Sequence, residues 1–295
     1  MTKPHSTPEA PWTMLRALNW TAAYFQSCGI DSPRPSAEIL LAHSLGLARI
    51  DLYVRYDQPL QSGELARFKA LIRRRAAREP VAYITGEREF WSLPFSVSPA
   101  VLIPRPETER LVEVALDALP DVEGLRVLEP GTGSGAVSVA LACERRRAAL
   151  FASDRWPDAL TVARKNAARH GVAERIRFFA GDWLLPVSSA APSFDAVVCN
   201  PPYIARRDLD GLQPEVSRFE PRRALDGGND GLYAVRRLVD GAKTCLKPGA
   251  ALLFEIGFDQ GEGAGRIVAD AGGYGAPEVF KDFGGNDRVV RVFRR

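Results

Sequence analysis

From Leu125 onward, strand-like apolar runs alternate with helix-like periodic segments, and this alternation restricts the chain to a narrow set of folds. Apolar runs occur at 125–129, 149–153, 176–180, 194–199, 250–256 and 289–293, with helical patterns at 135–143, 157–170 and 232–246 between most of them. Strands separated by helices predict an α/β domain with a parallel sheet covered on both faces. Ligands of such sheets bind beyond the carboxyl ends of the strands, so the residues that follow each strand are where chemistry is expected.

The first part of the chain reads differently. Residues 12–28 place Leu15, Leu18, Ala22, Ala23 and Phe25 near a 3.6-residue period, which predicts a helix. After a break at 29–35, Ser36 stands where an N-cap would, ahead of Ile39, Leu40, Leu41 and Leu45, and Gly46 closes a second helix. A third is expected over 62–78, with Leu65, Phe68, Leu71 and Ile72 inward and Arg73, Arg74, Arg75 and Arg78 outward. Such an arginine face is ordinarily solvated; contact with RNA or an acidic partner is the rarer reading. Between 80 and 106 the residues Phe90, Trp91, Leu93, Phe95, Val97, Val101 and Ile103 interleave with Ser and Pro, which suggests a short hairpin joining two domains. A helix follows over 107–119.

The first strand of the alternating region runs into Glu129-Pro130-Gly131-Thr132-Gly133-Ser134-Gly135-Ala136. Glycines there let the backbone turn sharply and approach a ligand, and the next helix offers free N–H groups. The spacing also fits G-x-G-x-x-A, so a nicotinamide cofactor belongs among the readings, as does a tight turn with no ligand. Asp154, at the end of the second strand, is placed to accept from ribose hydroxyls, or to cap the following helix. Asp182-Trp183 follows the third strand, where an indole can cover an adenine face or can simply be part-buried.

The fourth strand leads directly into Asn200-Pro201-Pro202-Tyr203. Two prolines cannot extend a ladder, and they hold the backbone extended, with Asn200 pushed out of the helical region. The Asn200 side-chain oxygen and the Pro201 carbonyl can then act as two fixed acceptors for an NH2 group on a planar π system, with Tyr203 stacking on its face. Acceptors on both N–H bonds draw electron density onto a delocalised nitrogen and aim its lone pair, a use of preorganised dipoles that suits methyl transfer and not hydride transfer.

Taken with the Gly131 to Gly135 turn, the stretch Asn200-Pro201-Pro202-Tyr203-Ile204 resembles the class I S-adenosylmethionine-dependent methyltransferases that modify planar amino groups. Two further stretches narrow the resemblance. Arg88-Glu89-Phe90-Trp91-Ser92-Leu93-Pro94-Phe95 leads to Pro104-Arg105-Pro106-Glu107-Thr108-Glu109, and Arg218-Phe219-Glu220-Pro221 leads to Ala224-Leu225 and Gly227-Gly228-Asn229-Asp230-Gly231-Leu232. Together they are similar to the peptide chain release factor glutamine methyltransferases, from about Pro35 to near the C-terminus.

That resemblance implies a Rossmann-like, seven-stranded methyltransferase domain over 107–295, a hairpin linker over 81–106 and a small helical substrate-docking domain over 1–80. It implies methylation of the side-chain amide nitrogen of the glutamine in the Gly-Gly-Gln motif of class 1 release factors. Gly131, Thr132, Gly133, Ser134 and Gly135 would hold the methionine part of S-adenosylmethionine, Asp154 its ribose and Trp183 its adenine. Asn200, Pro201, Pro202 and Tyr203 would hold the glutamine, with Asn200, Pro201 and Tyr203 catalytic and Asn200 also near the cofactor. Arg105, Glu107 and Thr108 would close over the site, or form a helix N-terminus. The family usually has Asp-Leu-Gly where this chain has Glu129-Pro130-Gly131, which leaves the contact of residue 129 open.

Ribosomal-protein glutamine methylation is the alternative within the class; Phe219 before Glu220-Pro221 and the Pro-Glu-Thr-Glu stretch favour the release-factor type. An adenine-amino methyltransferase acting on DNA or RNA is the alternative outside it, because N6 presents the same planar NH2. A formal net charge of +3 offers little attraction for phosphates, so no nucleic-acid substrate is expected. The cysteines Cys28, Cys143, Cys199 and Cys245 form no Cys-x-x-Cys pair, and His5, His43 and His170 are the only histidines, so no metal is expected. Few cysteines in a chain of this size suggest a reducing, cytoplasmic setting. No apolar run approaches the roughly 18 residues of a membrane span, and residues 1–11 have no apolar core of a secretory signal. A monomer is expected.

Overall fold

A computed structural model describes residues 11–187 and 193–295. The leading segment 1–11, read above as no secretory signal, lies outside the described residues except for Pro11, and His5 lies outside with it. The chain divides into two compact units between Thr85 and Gly86.

The first unit is helical: α1 (Met14–Ser27), α2 (Pro33–Leu45), α3 (Asp51–Val54), α4 (Ser62–Ala76) and α5 (Val81–Thr85). Met14, Leu18, Phe25, Leu40, Leu41, Phe68 and Ile72 form its buried core. Thr13 caps α1 by accepting from the Arg16 N–H. The expected start of α2 is corrected: the helix begins at Pro33, and Ser36 is buried within it rather than capping it. Proline suits a first turn because its missing N–H would have no helical partner there. The arginine face is exposed at Arg73 and Arg74, as expected, and is corrected at Arg75. Arg75 is buried and donates to the Glu79 carbonyl at 3.2 Å, Arg74 pairs with Glu79, and Arg78 donates to the Gly29 carbonyl. These guanidiniums satisfy carbonyls and a carboxylate around the end of α4.

The second unit starts with the hairpin β1 (Glu87–Phe90) and β2 (Leu93–Ser96). Phe90 pairs with Leu93, so Trp91 and Ser92 make a two-residue turn, both with positive φ. The Trp91 N–H donates to Glu109 at 2.7 Å and its indole to Glu144 at 2.8 Å, which holds a conformation unusual for a bulky residue. A 3-10 turn at Pro106–Thr108 leads into α6 (Glu109–Ala118). The segment 81–106 is thus shared out: α5 goes with the first unit and the hairpin with the second.

Then follow β3 (Arg126–Pro130), α7 (Ala136–Glu144), β4 (Ala149–Asp154), α8 (Pro157–Arg169), β5 (Ile176–Ala180), β6 (Phe194–Cys199), α9 (Pro214–Phe219), α10 (Tyr233–Cys245), β7 (Leu246–Glu255), α11 (Gly261–Ala271), β8 (Glu278–Lys281) and β9 (Asp287–Phe293). The seven-stranded sheet has the order β5-β4-β3-β6-β7-β9-β8. The strands from β5 to β7 are parallel, as expected, and β9 runs antiparallel to both β7 and β8, so the expectation of a parallel sheet is corrected only at this edge.

Side chains alternate between two cores. From β6, Ala196 and Val198 join Leu111, Val112, Val139 and Leu141 of α6 and α7 on one face. Val197 and Cys199 join Val235, Leu238 and Val239 of α10 on the other. Burial on both faces is why these strands read as continuous apolar runs. Sheet order reverses between β3 and β6, which opens a crevice beyond their carboxyl ends.

Candidate active site

The turn after β3 is built around left-handed glycines, of which Gly135 is the most constrained. Its φ is +80°, and a Cβ there would sit 3.1 Å from the Cβ and 3.2 Å from the Cα of Ala163, so a side chain would force α7 and α8 apart. Behind the turn lies Glu129, 3% exposed. Its Oε2 accepts from the Thr132 hydroxyl at 2.6 Å, the Ser138 N–H at 3.1 Å and the Ser138 hydroxyl. Burial raises the Glu129 carboxyl to about 7, against those hydrogen bonds. Residue 129, whose contact was open in the sequence, thus fastens the turn to α7.

Asp154, at the end of β4, fastens the turn from the other side. Its Oδ2 accepts from the Gly133 N–H at 3.0 Å and its Oδ1 from the Trp156 N–H at 2.9 Å. Burial pushes its pKa up. Asn166 of α8 adds a third tie, donating to the Ser134 carbonyl at 2.8 Å.

At the end of β6, the Asn200 Nδ2 donates to the Thr108 hydroxyl at 3.0 Å, and both residues line the pocket. The Tyr203 hydroxyl donates to Glu255 at 3.0 Å, and the Tyr203 carbonyl accepts from Gln260 at 2.8 Å. Burial pushes the Tyr203 hydroxyl well above its ordinary pKa, and the Glu255 charge adds to this. The glycines at 227 and 231 lie flat against this stretch. A Cβ on Gly231 would be 2.4 Å from the Tyr203 carbonyl, and the Gly227 N–H donates to the Ile204 carbonyl at 2.8 Å.

These elements enclose a pocket of about 340 Å³. Gly131, Thr132, Gly133, Ser134, Asp154, Trp183, Asn200, Pro201 and Pro202 line it, so the glycine turn and the Asn-Pro-Pro stretch face one cavity. Gly135 and Tyr203 are not on its wall; the first sets the packing of α7, and the second lies behind Asn200 against Glu255. Arg105 and Thr108 line the pocket, and Glu107 does not.

Several wall residues were missed in the sequence. Trp156 stands two residues after Asp154, and the Arg223 guanidinium lies 4.4 Å over its ring. Arg223 also donates to Asp158 at 2.8 Å and to the Ala100 carbonyl at 3.0 Å. Glu220, 6% exposed, accepts from Arg105 and from the Ile103 N–H at 3.1 Å. Two segments far apart in sequence, 100–105 and 220–226, are therefore stapled together at the pocket rim. An aromatic residue just beyond Asp154 was a usable signal for Trp156; Glu220 stands in the Arg218-Phe219-Glu220-Pro221 stretch, where no role was assigned to it, and no local pattern marks Arg223.

A family model described as the PrmC N-terminal domain matches residues 16–86, and one described as a methyltransferase domain matches residues 121–255. The release factor glutamine methyltransferase of Moorella thermoacetica is 43% identical over 283 residues, covering 96% of this chain and 99% of that one. That of Geobacter sulfurreducens is 45% identical over 281 residues, covering 95% and 96%. This chain belongs to the release factor glutamine methyltransferase family.

Among solved structures, a methyltransferase from Pyrococcus furiosus shares the fold, with a TM-score of 0.50, 18% identity, and coverage of 77% of this chain and 96% of that one. The family match spans the described helical unit as well as the sheet, so this release factor glutamine methyltransferase family member carries both parts of its relatives. Among the described residues, no helix is long and apolar enough to cross a membrane.

Proposed function

We propose that this chain transfers a methyl group from S-adenosylmethionine to the side-chain amide nitrogen of the glutamine in the Gly-Gly-Gln motif of class 1 peptide chain release factors, in the cytoplasm. Family membership supports the reaction class and substrate class. The observation that carries the reading within the site is the Asn200–Thr108 hydrogen bond of 3.0 Å, because with Nδ2 engaged by Thr108 the amide oxygen is the end left to accept from a substrate.

The residues present fit such a cofactor. Asp154 keeps both carboxylate oxygens at the pocket edge, each with one N–H donor and a spare lone pair that a ribose hydroxyl can use. Gly131, Thr132, Gly133 and Ser134 would hold the methionine part, and Trp183, joined by Trp156, would pack by the adenine. Gly135 would serve by fixing the turn from behind. When bound, the cofactor supplies an electrophilic methyl on a cationic sulfur that becomes neutral as the methyl leaves.

The protein's task is then to present the nitrogen. Asn200 Oδ1 and the Pro201 carbonyl would accept hydrogen bonds from the two amide N–H bonds, and Pro201 holds their spacing because its ring fixes the φ between them. Holding both N–H bonds in the amide plane aims the lone pair and removes the need to reorganise water. Tyr203 would close the glutamine pocket from behind Asn200.

Mass spectrometry of a release factor incubated with the purified chain and S-adenosylmethionine tests this. One added methyl on the Gly-Gly-Gln glutamine, absent when that glutamine is replaced, is the expected result. Methylation of an oligonucleotide or a ribosomal protein in its place would overturn the substrate assignment.

A further inference from the structure

Tyr203 is gripped twice by the segment that joins β7 to α11. Glu255, the last residue of β7, accepts from its hydroxyl at 3.0 Å, and Gln260, just ahead of α11, donates from Nε2 to its carbonyl at 2.8 Å. The other end of the Gln260 carboxamide is engaged as well, with Oε1 accepting from the Gly257 N–H at 2.9 Å. Gln260 belongs to none of the sequence motifs above and is not on the pocket wall.

The two groups that this carboxamide joins are of opposite kind, an N–H and a carbonyl. A side-chain amide carries an acceptor and a donor on one planar unit, so its orientation here is dictated by its neighbours. A carboxylate of the same size would keep Gly257 but set an acceptor against the Tyr203 carbonyl, and a thioether would serve neither group. The slot is close-fitting. A Cβ on Gly231 would lie 2.5 Å from Gln260 Nε2, and one on Gly257 would lie 3.2 Å from Gln260 Cδ. The backbone of Gln260 is itself fixed, because its N–H donates to the Gly257 carbonyl at 3.0 Å and its carbonyl accepts from the Ala264 N–H of α11 at 2.9 Å.

The Asn-Pro-Pro-Tyr stretch depends on anchors of this kind. Pro201 and Pro202 have no N–H to give, so whatever holds their path must act on carbonyls or side chains. Upstream, Cys199 pairs with Phe254 in the sheet; downstream, the Ile204 N–H donates to the Leu225 carbonyl at 3.1 Å. The Tyr203 carbonyl lies between these two ties. We propose that Gln260 is a positioning residue for methyl transfer: by spanning the Gly257 N–H and the Tyr203 carbonyl, it locks the end of the Asn-Pro-Pro-Tyr stretch to the start of α11 and so fixes Asn200 and the Pro201 carbonyl against the substrate amide. This inference rests on the reaction proposed above and deepens it, because it adds a residue that acts through Tyr203 without lining the pocket.

The test is steady-state methyl transfer to a release factor at pH 8, for wild type, Gln260→Met and Gln260→Glu, with S-adenosylmethionine affinity and the number of binding sites measured by calorimetry. Gln260→Met keeps the length and loses both bonds. Gln260→Glu, ionised at this pH, keeps the Gly257 bond and loses the one to Tyr203. Both should lower kcat per cofactor-binding site by about tenfold or more, with cofactor Kd and release factor KM within about threefold of wild type. Counting sites separates slower chemistry from a smaller folded fraction, and Gln260→Glu answers for a Gln260→Met chain that folds poorly, since it retains the turn at 257–260. Wild-type kcat in Gln260→Glu, or a fall in cofactor affinity matching the fall in kcat, overturns the proposal. A wild-type enzyme that leaves the release factor unmethylated overturns the reaction on which it rests.

Discussion

Asn166 satisfies both polar groups of the Ser96 peptide: its Oδ1 accepts the Ser96 N–H at 2.8 Å and its Nδ2 donates to the Ser96 carbonyl at 3.0 Å. The same Nδ2 reaches the Ser134 carbonyl at 2.8 Å, so one fully buried amide joins the hairpin, α8 and the glycine turn. Asn166→Ala leaves a buried N–H and two carbonyls without this partner, and buried orphans cost about 1–3 kcal/mol each. We expect a loss of at least about 2 kcal/mol in urea unfolding and weaker cofactor binding by calorimetry. Stability within about 0.5 kcal/mol of wild type would show that the three contacts are made elsewhere or by water.

Asn200 lines the pocket with its Nδ2 held by Thr108 at 3.0 Å. Asn200→Ala should slow methyl transfer by about a hundredfold, with cofactor affinity changed far less, because one preorganised acceptor is lost. Parallel measurement of kcat and cofactor Kd decides; equal losses would make Asn200 chiefly a cofactor ligand.

Gly231 touches no ligand wall, yet a methyl group there would press to 2.4 Å of the Tyr203 carbonyl at a φ of +77°. Gly231→Ala must displace the Asn-Pro-Pro-Tyr backbone or its own segment. A kcat reduced by about tenfold or more, with the fold retained by circular dichroism, is the expected outcome. Unchanged turnover would mean that the 227–232 segment yields without moving residues 200–203.

Glu220 is nearly inaccessible and is held by Arg105 and the Ile103 N–H. Arg105→Ala leaves that carboxylate without its cation and should destabilise the chain by about 3 kcal/mol, the usual scale for a buried pair cut on one side. Limited proteolysis near residues 98–105 should accelerate at the same time. Cleavage at the wild-type rate would argue against a staple at the pocket rim.

The Glu129 carboxyl is raised by burial from an ordinary 4.5 to about 7. The folded state therefore holds this proton longer than the unfolded chain, and stability falls as pH rises from about 4.5 to about 7. Glu38, held at about 2 against burial by the Tyr53 hydroxyl and then by Arg49 and Arg34, acts at lower pH and with the opposite sign. Glu129→Gln should flatten the fall between pH 5 and pH 7 in urea midpoints. A variant whose pH dependence parallels wild type would refute a buried, proton-holding Glu129.

Much of this molecule is legible locally. Ile176–Ala180 and Phe194–Cys199 are strands where the apolar runs stand, and α10 spans Tyr233–Cys245 where the period does. Elements with weak local signals are not marked. The glycines at 261, 263 and 265 dilute the helical pattern of α11, and β8 is an edge strand with mostly exposed side chains. Its partner β9 is visible as an apolar run, but its antiparallel direction is set by the hairpin turn at 282–286 rather than by the strand residues.

The sequence by itself determined the α/β alternation, the glycine turn and the rigid Asn-Pro-Pro-Tyr stretch, because backbone limits on Gly and Pro and two-sided burial act over a few neighbouring residues. Only the tertiary structure decided which end of the Asn200 amide Thr108 engages, that Tyr203 is held by Glu255, and that Glu220 and Arg223 tie down the rim. Those outcomes depend on Thr108, Glu255, Arg105 and Ala100, which come from distant segments, and a hydrogen bond between them exists only once the sheet has brought them within 3 Å or so.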